Sequence, residues 1–273
     1  MSNTNHQGTA LITGASSGIG AIYADRLARQ GYDLILVARN RERLNKLSRR
    51  LSVETGRVVE FVVADLNKKD DLLRVEEILR SDAGITTLVN NAGFGGVGSI
   101  LESNVDEMES MIDLNVTALT RLTYAAAPQF VARGSGTIIN IASVVAIRPE
   151  TLNGVYGATK AFVLALTQSL QHELAGKGVR IQAVLPGATR TEFWDVARKP
   201  VDELPTEAVM TADDLVDSAL AGLAQGEVVT IPPLHDGSQW AAYEAARLAF
   251  GFHNLSVSTP APRYGIKVLA KAA

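Results

Sequence analysis

Short apolar runs rich in β-branched residues alternate with segments of helical period along most of this chain, and this alternation constrains the fold more than any other feature. The first three apolar runs occupy residues 9–13, 33–38 and 58–64, and a segment of helical period follows each of them. Strands that are apolar throughout are typical of parallel sheets that helices cover on both faces. The pattern predicts an α/β fold with a doubly wound parallel sheet of about seven strands.

The remaining elements continue this pattern towards the C-terminus. Four more strands are predicted, at 87–90, 137–142, 180–185 and 228–231. A single long helix is predicted over 105–132, and polar, Pro-containing sequence interrupts the pattern over 187–211. Because no linker or low-complexity tract divides the chain, we predict one domain over 1–273, with a core at 8–231 and a C-terminal extension at 232–273.

The composition excludes several classes of protein. The 273 residues carry a net charge of −3 without a long basic run, so nucleic acids and membrane surfaces are not expected as partners. There are no cysteines, which excludes disulfides and thiolate metal sites, and the four histidines are too scattered to suggest a metal site. The polar N-terminal sequence MSNTNHQG lacks the layout of a signal peptide, so we expect a cytoplasmic protein.

A glycine-rich turn follows the first predicted strand and opens directly into a helix. It has the sequence TGASSGIG over residues 13–20. Glycines allow a tight turn and the close approach of a ligand, and a helix N-terminus offers free N–H groups to a pyrophosphate. The same residues match the G-x-S-x-G pattern of a hydrolase with Ser16 as nucleophile, but the chain before Gly14 is too short for the strands that such a site requires. A nucleotide-binding turn is therefore favoured, and a hydrolase is the alternative.

Four further motifs follow this turn in order. They are NNAG at 90–93, LNV at 114–116, Ser143 with YGATK at 156–160, and PGxxxT at 186–191. Over about residues 8–231 the chain thus resembles the short-chain dehydrogenase/reductase family, with each motif at the end of a strand or helix where that family has it. The resemblance implies a Rossmann-type dinucleotide-binding and catalytic domain that transfers hydride between a nicotinamide cofactor and a carbonyl or secondary alcohol.

The resemblance also implies roles for individual residues. The catalytic residues that it implies are Asn115, Ser143, Tyr156 and Lys160. The cofactor-binding residues that it implies are Gly14, Ser16, Ser17, Gly18, Ile19, Gly20, Asp65, Leu66, Asn91, Ala92, Gly93, Tyr156, Lys160, Pro186, Gly187, Thr189 and Thr191. The residues that it implies around the substrate are Ser143, Val145, Tyr156, Phe193 and Trp194.

Tyr156 and Lys160 lie four residues apart at the start of a predicted helix and therefore share one of its faces. A tyrosine with an ordinary pKa near 10 is almost entirely protonated at neutral pH. A nearby ammonium favours the phenolate, and lowering the pKa by about three units requires about 4 kcal/mol. We expect Lys160 and an oxidised nicotinamide together to lower the pKa of Tyr156, which can then donate or accept the proton of the reaction.

The residue that follows the second predicted strand indicates the choice of cofactor. An acidic residue there is typical of NAD binders, whereas an arginine accommodates the 2′-phosphate of NADP. Arg39 occupies this position, and no carboxylate occurs between it and Glu42. We therefore expect NADP(H) to be preferred over NAD(H), with Arg39 and Ser16 contacting the phosphate. A solvated surface charge is the alternative interpretation of Arg39.

The segments implied to surround the substrate are mostly apolar, which favours a hydrophobic ketone or aldehyde, or the corresponding alcohol. Arg148 and Arg190 could anchor an acidic substrate, but a solvated surface position is the favoured interpretation of each. A nucleotide-binding regulator that retains the fold without turnover is the alternative function. The complete set of Ser143, Tyr156 and Lys160 argues against it.

The C-terminal extension differs from the short ending that is common in the family. Pro232 and Pro233 end the last strand, and an alanine-rich helix with Trp240 and Tyr243 is predicted over 239–249. Such a helix must bury its apolar stripe on its own core, on a partner subunit or on the substrate loop. We expect a homodimer or homotetramer whose interface includes part of 235–273, with coverage of a sheet edge as the alternative.

Overall fold

The computed structural model describes residues 6–197 and 199–266. In this part of the chain, seven strands form one parallel sheet in the order β3-β2-β1-β4-β5-β6-β7. The strands are β1 (Thr9–Thr13), β2 (Asp33–Ala38), β3 (Val59–Val63), β4 (Ile85–Asn90), β5 (Gly136–Ile141), β6 (Val179–Val184) and β7 (Val229–Thr230). The predicted doubly wound, Rossmann-type α/β fold is confirmed.

Helices cover both faces of this sheet. They are α1 (Gly18–Arg29), α2 (Arg41–Thr55), α3 (Lys69–Ser81), α4 (Val105–Ile112), α5 (Leu119–Arg133), α6 (Gly154–Glu173), α7 (Phe193–Val196), α8 (Ala212–Ala224), α9 (Gly237–Ala249) and α10 (Gly251–Leu255). Apolar side chains of α1, α2 and α8 pack on one face, and those of α3, α5 and α6 pack on the other. Successive side chains of a strand point to opposite faces, so Leu11 and Ile12 of β1 belong to different halves of the core.

The strand order reverses between β1 and β4. From β1 the chain builds outwards through β2 to β3, and it then returns to place β4 on the other side of β1. Ligands of open parallel sheets bind in the crevice that such a reversal leaves at the carboxyl ends of the strands. The glycine-rich turn after β1 and the NNAG segment at the end of β4 both lie at this crevice.

The prediction of one continuous helix over 105–132 is wrong in its middle. Helix α4 ends at Ile112, a π-helical turn occupies Asp113–Ala118, and α5 begins at Leu119. A π-turn adds a residue to the helical repeat and often accompanies a functional side chain. The apolar periodicity continues on both sides of the turn, so the sequence pattern did not reveal it. The stretch 187–211, predicted as irregular, contains α7 and two short 3₁₀ turns at Val201–Glu203 and Thr206–Ala208.

The chain divides into two compact units, and the boundary follows Pro233. In the second unit, α9 confirms the helix that was predicted over 239–249, and Trp240 stacks on Tyr243 with ring centroids 5.2 Å apart. Neither α9 nor α10 has a buried residue. The assignment of 1–273 to a single domain stays a prediction.

None of the helices in the described residues is both long enough and apolar enough to cross a membrane.

Candidate active site

The turn after β1 presents unpaired backbone N–H groups at the start of α1. The first helical hydrogen bond that reaches the N-cap is donated by the Ala21 N–H to the Ser17 carbonyl. The N–H groups of Gly18, Ile19 and Gly20 therefore precede the helical ladder. The side chain of Ser17 makes no capping hydrogen bond, so the positive end of the helix is open to an anion.

Close packing joins this turn to the segment after β4. The Asn91 amide donates to the carbonyls of Thr13 and Gly14 at 2.9 and 3.2 Å, and the Thr13 hydroxyl accepts from the N–H groups of Asn91 and Ala92. Gly14 has φ +65°, and a Cβ there would lie 2.8 Å from the Asn91 amide nitrogen. A residue with a side chain would be strained at this position and would separate the two loops.

At the end of β2, Arg39 is exposed and has no hydrogen-bond or ion-pair partner among the described residues. The neighbouring Asn40 caps α2 by accepting from the Arg43 N–H at 3.0 Å, and the Arg43 guanidinium pairs with Glu192. Arg39 is thus an uncommitted guanidinium beside the N-terminus of a fifteen-residue helix. Charge and helix dipole both favour an anion here.

The end of β3 carries the next two predicted cofactor residues. Asp65 accepts a hydrogen bond from the Asn67 N–H, and its own N–H donates to Asp71. Leu66 is buried in the core between the sheet and α3. These two contacts hold Asp65 at the same edge of the sheet as Arg39.

Tyr156 and Lys160 lie on the first turns of α6, and both are buried. The Lys160 ammonium donates to the Ile141 carbonyl at the end of β5 at 2.9 Å and lies 5.8 Å from the centre of the Tyr156 ring. Ser143, two residues after β5, lies beside the Tyr156 phenol and favours its phenolate, and the Ser143 hydroxyl donates to the Pro186 carbonyl at 3.4 Å. Three of the four catalytic residues implied by the family resemblance are therefore brought together, although the segment after β5 and helix α6 supply them separately.

In the protein without a cofactor, burial has the largest effect on the pKa values of Tyr156 and Lys160. Burial raises the pKa of Tyr156 to about 12, and the hydrogen bond from Ser143 acts in the opposite direction because it stabilises the phenolate. Burial lowers the pKa of Lys160 to about 8, since a buried ammonium loses its hydration. The protein alone therefore does not lower the pKa of Tyr156, and the lowering expected from the sequence requires the positive charge of an oxidised cofactor.

Asn115 lies in the π-turn and is 1% exposed. Its amide nitrogen donates to the Phe94 carbonyl at 2.8 Å and to the Thr159 hydroxyl at 3.1 Å, and its oxygen accepts from the Phe94 N–H at 3.1 Å. The side chain thus connects the loop after β4 with α6. Gly93 lies close by, because a Cβ there would be 2.8 Å from the Asn115 oxygen and 3.5 Å from the Lys160 nitrogen.

The loop after β6 closes the other side of the crevice. The Pro186 carbonyl accepts from the Val144 N–H at 2.9 Å, which fixes this loop beside Ser143. The Thr189 hydroxyl donates to the Gly187 carbonyl at 3.1 Å. The Thr191 side chain lies against Gly18, where a Cβ would be 3.2 Å from the Thr191 methyl group. Among the predicted cofactor residues of this loop, Thr191 therefore lies against the turn that opens α1.

An apolar cluster surrounds the Tyr156 ring. Its buried members are Met111 and Val145, and the partly buried residues packed against them are Phe94, Met108, Leu152, Val155 and Phe193. The Phe193 ring lies 5.7 Å from the Tyr156 ring, centroid to centroid. Val145 and Phe193 were predicted from the sequence, whereas Met108 and Met111 were missed because the predicted helix 105–132 gave no indication of which face meets the site.

Trp194 lies beside this cluster, and its assignment to the substrate pocket stays a prediction. It is 6% exposed, and its indole N–H donates to the Thr189 carbonyl at 2.9 Å. The ring packs edge-on against Phe193, with centroids 5.4 Å apart. Trp194 therefore supports the loop after β6, since an indole buried this way keeps its N–H paired.

Both candidate anchors for an acidic substrate are exposed ion pairs. Arg148 pairs with Glu150 at 2.8 Å, and Arg190 pairs with Asp202 at 2.8 Å. The surface interpretation that the sequence favoured agrees with these contacts.

Residues 8–202 match the family model described as short chain dehydrogenase. The chain belongs to the short-chain dehydrogenase family. An uncharacterized oxidoreductase of Staphylococcus epidermidis is 34% identical to it over 222 residues, which cover 81% of this chain and 93% of that protein. As a short-chain dehydrogenase, the protein is an oxidoreductase that acts on CH–OH and C=O groups, and the hydrolase alternative is wrong.

Two solved structures of short-chain dehydrogenases are similar to this one over nearly their whole length. A short-chain dehydrogenase from Sphingobium yanoikuyae in complex with NADPH is 50% identical, with a TM-score of 0.91, and covers 94% of this chain and 99% of its own. The bulky-bulky ketone specific alcohol dehydrogenase from Comamonas testosteroni is 44% identical, with a TM-score of 0.86, over 95% of this chain and 99% of its own. Both similarities include most of the C-terminal extension.

In this short-chain dehydrogenase we expect Lys160→Met to stabilise the cofactor-free protein at neutral pH. The pKa of Lys160 is lowered from 10.5 to about 8 by burial, so the unfolded chain binds more protons between these values and the stability of the wild type rises with pH across this window. The penalty at pH 7 is about 3 kcal/mol. Urea unfolding at pH 7 and pH 10 measures it. If the free energies of unfolding of wild type and variant differed by the same amount at both pH values, the lowered pKa of Lys160 would be contradicted.

Proposed function

We propose that the protein is an NADPH-dependent reductase of hydrophobic ketones or aldehydes. The observation that carries this proposal is the Tyr156 phenol, which is buried, lies beside Ser143 and packs among apolar side chains. A proton donor in such a pocket suits a carbonyl that accepts hydride and a proton together. A regulator without turnover would have no use for this arrangement.

The residues of the crevice fit a phosphorylated dinucleotide. The uncapped N-terminus of α1 suits a pyrophosphate, and Gly14 and Gly18 both adopt positive φ and leave its approach unobstructed. The unpartnered Arg39 suits a 2′-phosphate, and no carboxylate competes with it at the end of β2. The NADPH complex of the Sphingobium yanoikuyae protein supports the same preference.

When bound, the reduced nicotinamide supplies the hydride, and this chain's own residues handle the proton. Tyr156 donates its phenolic proton to the carbonyl oxygen as that oxygen gains charge. The Ser143 hydroxyl orients the same oxygen, and its position beside Tyr156 favours the phenolate that remains.

Lys160 and Asn115 act beside this pair. The Lys160 ammonium is held by the Ile141 carbonyl, which leaves further N–H groups for a ribose hydroxyl. Asn115 uses its side-chain amide on Phe94 and Thr159, so it holds the loop that carries Gly93 against α6. Its contribution to a proton relay through water stays a prediction.

The pocket indicates the substrate class. The apolar side chains packed around the Tyr156 ring are those of Met, Val, Leu and Phe residues. Such a lining binds a carbonyl with apolar substituents better than it binds a sugar phosphate. The ketone preference named for the Comamonas testosteroni enzyme supports a bulky substrate.

A panel of carbonyl compounds assayed with both cofactors tests this function. We expect NADPH oxidation with aryl ketones and bulky alkyl ketones, slower oxidation of NADH, and no turnover of sugar phosphates. The loss of NADPH absorbance measures the rate, and chromatography of the alcohol product confirms it. An absence of turnover with every carbonyl, from protein that binds NADPH, would favour the regulator instead.

We further propose that the protein is a homodimer or homotetramer assembled through the second unit. This unit has no buried residue in α9 or α10, and it exposes Tyr243, Leu248, Phe250, Phe252 and Leu255 by 45–86%. A helix that exposes an apolar face of this size normally covers it with a partner. Truncation after Pro233 should therefore reduce the mass measured by light scattering to that of one chain. Truncation after Ile266 is the matched control, and an unchanged mass for both would contradict this assembly.

A cytoplasmic location stays a prediction, and fractionation of cells that express the protein at its natural level would test it.

A further inference from the structure

Asn153, which the sequence analysis did not single out, makes four side-chain hydrogen bonds at the start of the helix that carries Tyr156. It lies three residues before Tyr156 and is 5% exposed. Its oxygen accepts from the N–H groups of Val155 and Tyr156 at 2.9 and 3.2 Å. Its nitrogen donates to the Gly98 carbonyl at 2.7 Å and to the Ser103 hydroxyl at 3.1 Å. The hydrogen-bonding capacity of this amide is fully used.

The two ends of the amide hold different parts of the molecule. The oxygen caps α6 and binds the backbone of Tyr156 itself, which sets where the first turn of this helix begins. The nitrogen holds residues 94–103, which we call the rim loop and which connect β4 with α4. The Asn153 N–H adds a third contact to this loop, to the Gly96 carbonyl at 3.4 Å.

The rim loop forms one wall of the apolar cluster around Tyr156. Phe94 packs in that cluster, and a Cβ on Gly95 would lie 2.7 Å from the Phe193 ring and 2.9 Å from the Tyr156 ring. Beyond this wall the loop has little packing of its own, because Ile100 and Leu101 are 90% and 93% exposed. Its position therefore depends on polar contacts, which Asn115 provides at Phe94 and Asn153 provides at Gly98 and Ser103.

We propose that Asn153 is a positioning residue, which couples the rim loop to the helix that carries Tyr156 and so sets the width of the pocket in front of the phenol. The inference rests on the proposed role of Tyr156 as proton donor. Serine and aspartate are also good helix caps, but neither has an amide N–H to donate to Gly98 and Ser103. The requirement for both a cap and two donors explains asparagine at this position.

Three substitutions distinguish the role of the amide oxygen, which caps α6, from that of the amide nitrogen, which holds the rim loop. Asn153→Ser keeps a capping oxygen and loses the loop contacts, so we expect KM for a ketone with an aromatic ring on each side to rise about tenfold with kcat within twofold. Asn153→Asp keeps the cap and places a carboxylate against the Gly98 carbonyl, so the same rise in KM or a larger one is expected. Asn153→Ala loses both functions, and kcat should fall about tenfold as well.

Asn104→Ala is the matched control. Asn104 directly follows the rim loop and also caps a helix, by accepting from the Asp106 N–H at 2.7 Å, but among the described residues its side chain makes no hydrogen bond to α6. We expect its KM and kcat to remain within twofold of wild type. NADPH affinity, measured by fluorescence titration, should be unchanged in the control and in Asn153→Ser, which distinguishes loss of positioning from general loss of structure.

Tyr156→Phe, assayed in parallel, distinguishes failure of this inference from failure of the proposed function. An inactive Tyr156→Phe together with wild-type KM and kcat in Asn153→Ser and Asn153→Asp would overturn the coupling and leave the proposed function standing. Equal losses in Asn153→Ser and Asn104→Ala would also overturn it. Wild-type turnover in Tyr156→Phe would overturn the proposed function, on which the coupling rests.

Discussion

Tyr156→Phe should reduce kcat by about 10²- to 10⁴-fold while the affinity for NADPH stays within about threefold of wild type. The substitution removes the phenolic proton and leaves the ring in its apolar cluster. The contacts proposed for the cofactor's phosphates lie at the turn after β1 and at Arg39, so the substitution does not touch them. Steady-state reduction of an aryl ketone gives kcat, and quenching of protein fluorescence by NADPH gives the affinity.

Tyr23→Phe is the matched control for this variant. Tyr23 is fully buried in α1, and its hydroxyl has no hydrogen-bond partner among the described residues. Burial raises the pKa of Tyr23 far above its usual value, so this phenol stays protonated and takes no part in proton transfer. We expect unchanged kcat and equal or slightly greater stability, because an unpaired buried hydroxyl is removed. Turnover of Tyr156→Phe within a factor of two of wild type would exclude Tyr156 as the proton donor.

Arg39→Asp should lower the ratio of kcat/KM for NADPH over NADH by about 10- to 100-fold. A charge-assisted hydrogen bond contributes about 1.5–3 kcal/mol, and each 1.4 kcal/mol is a factor of ten. The new carboxylate also repels the 2′-phosphate and can accept a ribose hydroxyl, so part of the change should appear as improved use of NADH. Initial rates with one ketone and varied cofactor measure both values.

Arg49→Asp makes the same change of charge further along the chain, within α2. Arg49 is exposed and lies eight residues beyond the start of α2 at Arg41, a distance of about 12 Å along a helix. At ordinary ionic strength a charge this far away is largely screened, so its cofactor ratio should match wild type. An unchanged ratio in Arg39→Asp, or an equal change in both variants, would show that Arg39 does not read the 2′-phosphate.

Most of what could be predicted from the sequence came from residues that lie close together in the chain. The alternation of strands and helices predicted the doubly wound sheet, because buried parallel strands require apolar side chains on both faces. The turn at 13–20 and the residue after β2 indicated a nucleotide site, because a strand and the helix that follows it fix the geometry of the loop between them. The five ordered motifs identified the family.

Only the tertiary structure determined how these residues meet. The π-turn at Asp113–Ala118 was hidden in a continuous apolar pattern, and it places Asn115 against Phe94, 21 residues away in the chain. Phe193 and Trp194 are neighbours in the chain, but the Phe193 ring packs beside Tyr156 while the Trp194 indole donates to the Thr189 carbonyl. Composition shows that a side chain is apolar or aromatic, and the packing of distant segments decides which way it points.

The same distinction applies to the charges and polar contacts of the site. The sequence by itself determined that Tyr156 and Lys160 share one face of a helix, since that follows from a spacing of four residues. The burial that raises the pKa of Tyr156 and lowers that of Lys160 comes from the sheet and loops packed around them, and so only the tertiary structure decided these directions. The four hydrogen bonds of Asn153 were decided in the same way, because their partners at Gly98 and Ser103 are 55 and 50 residues away and no local pattern encodes a contact over that separation.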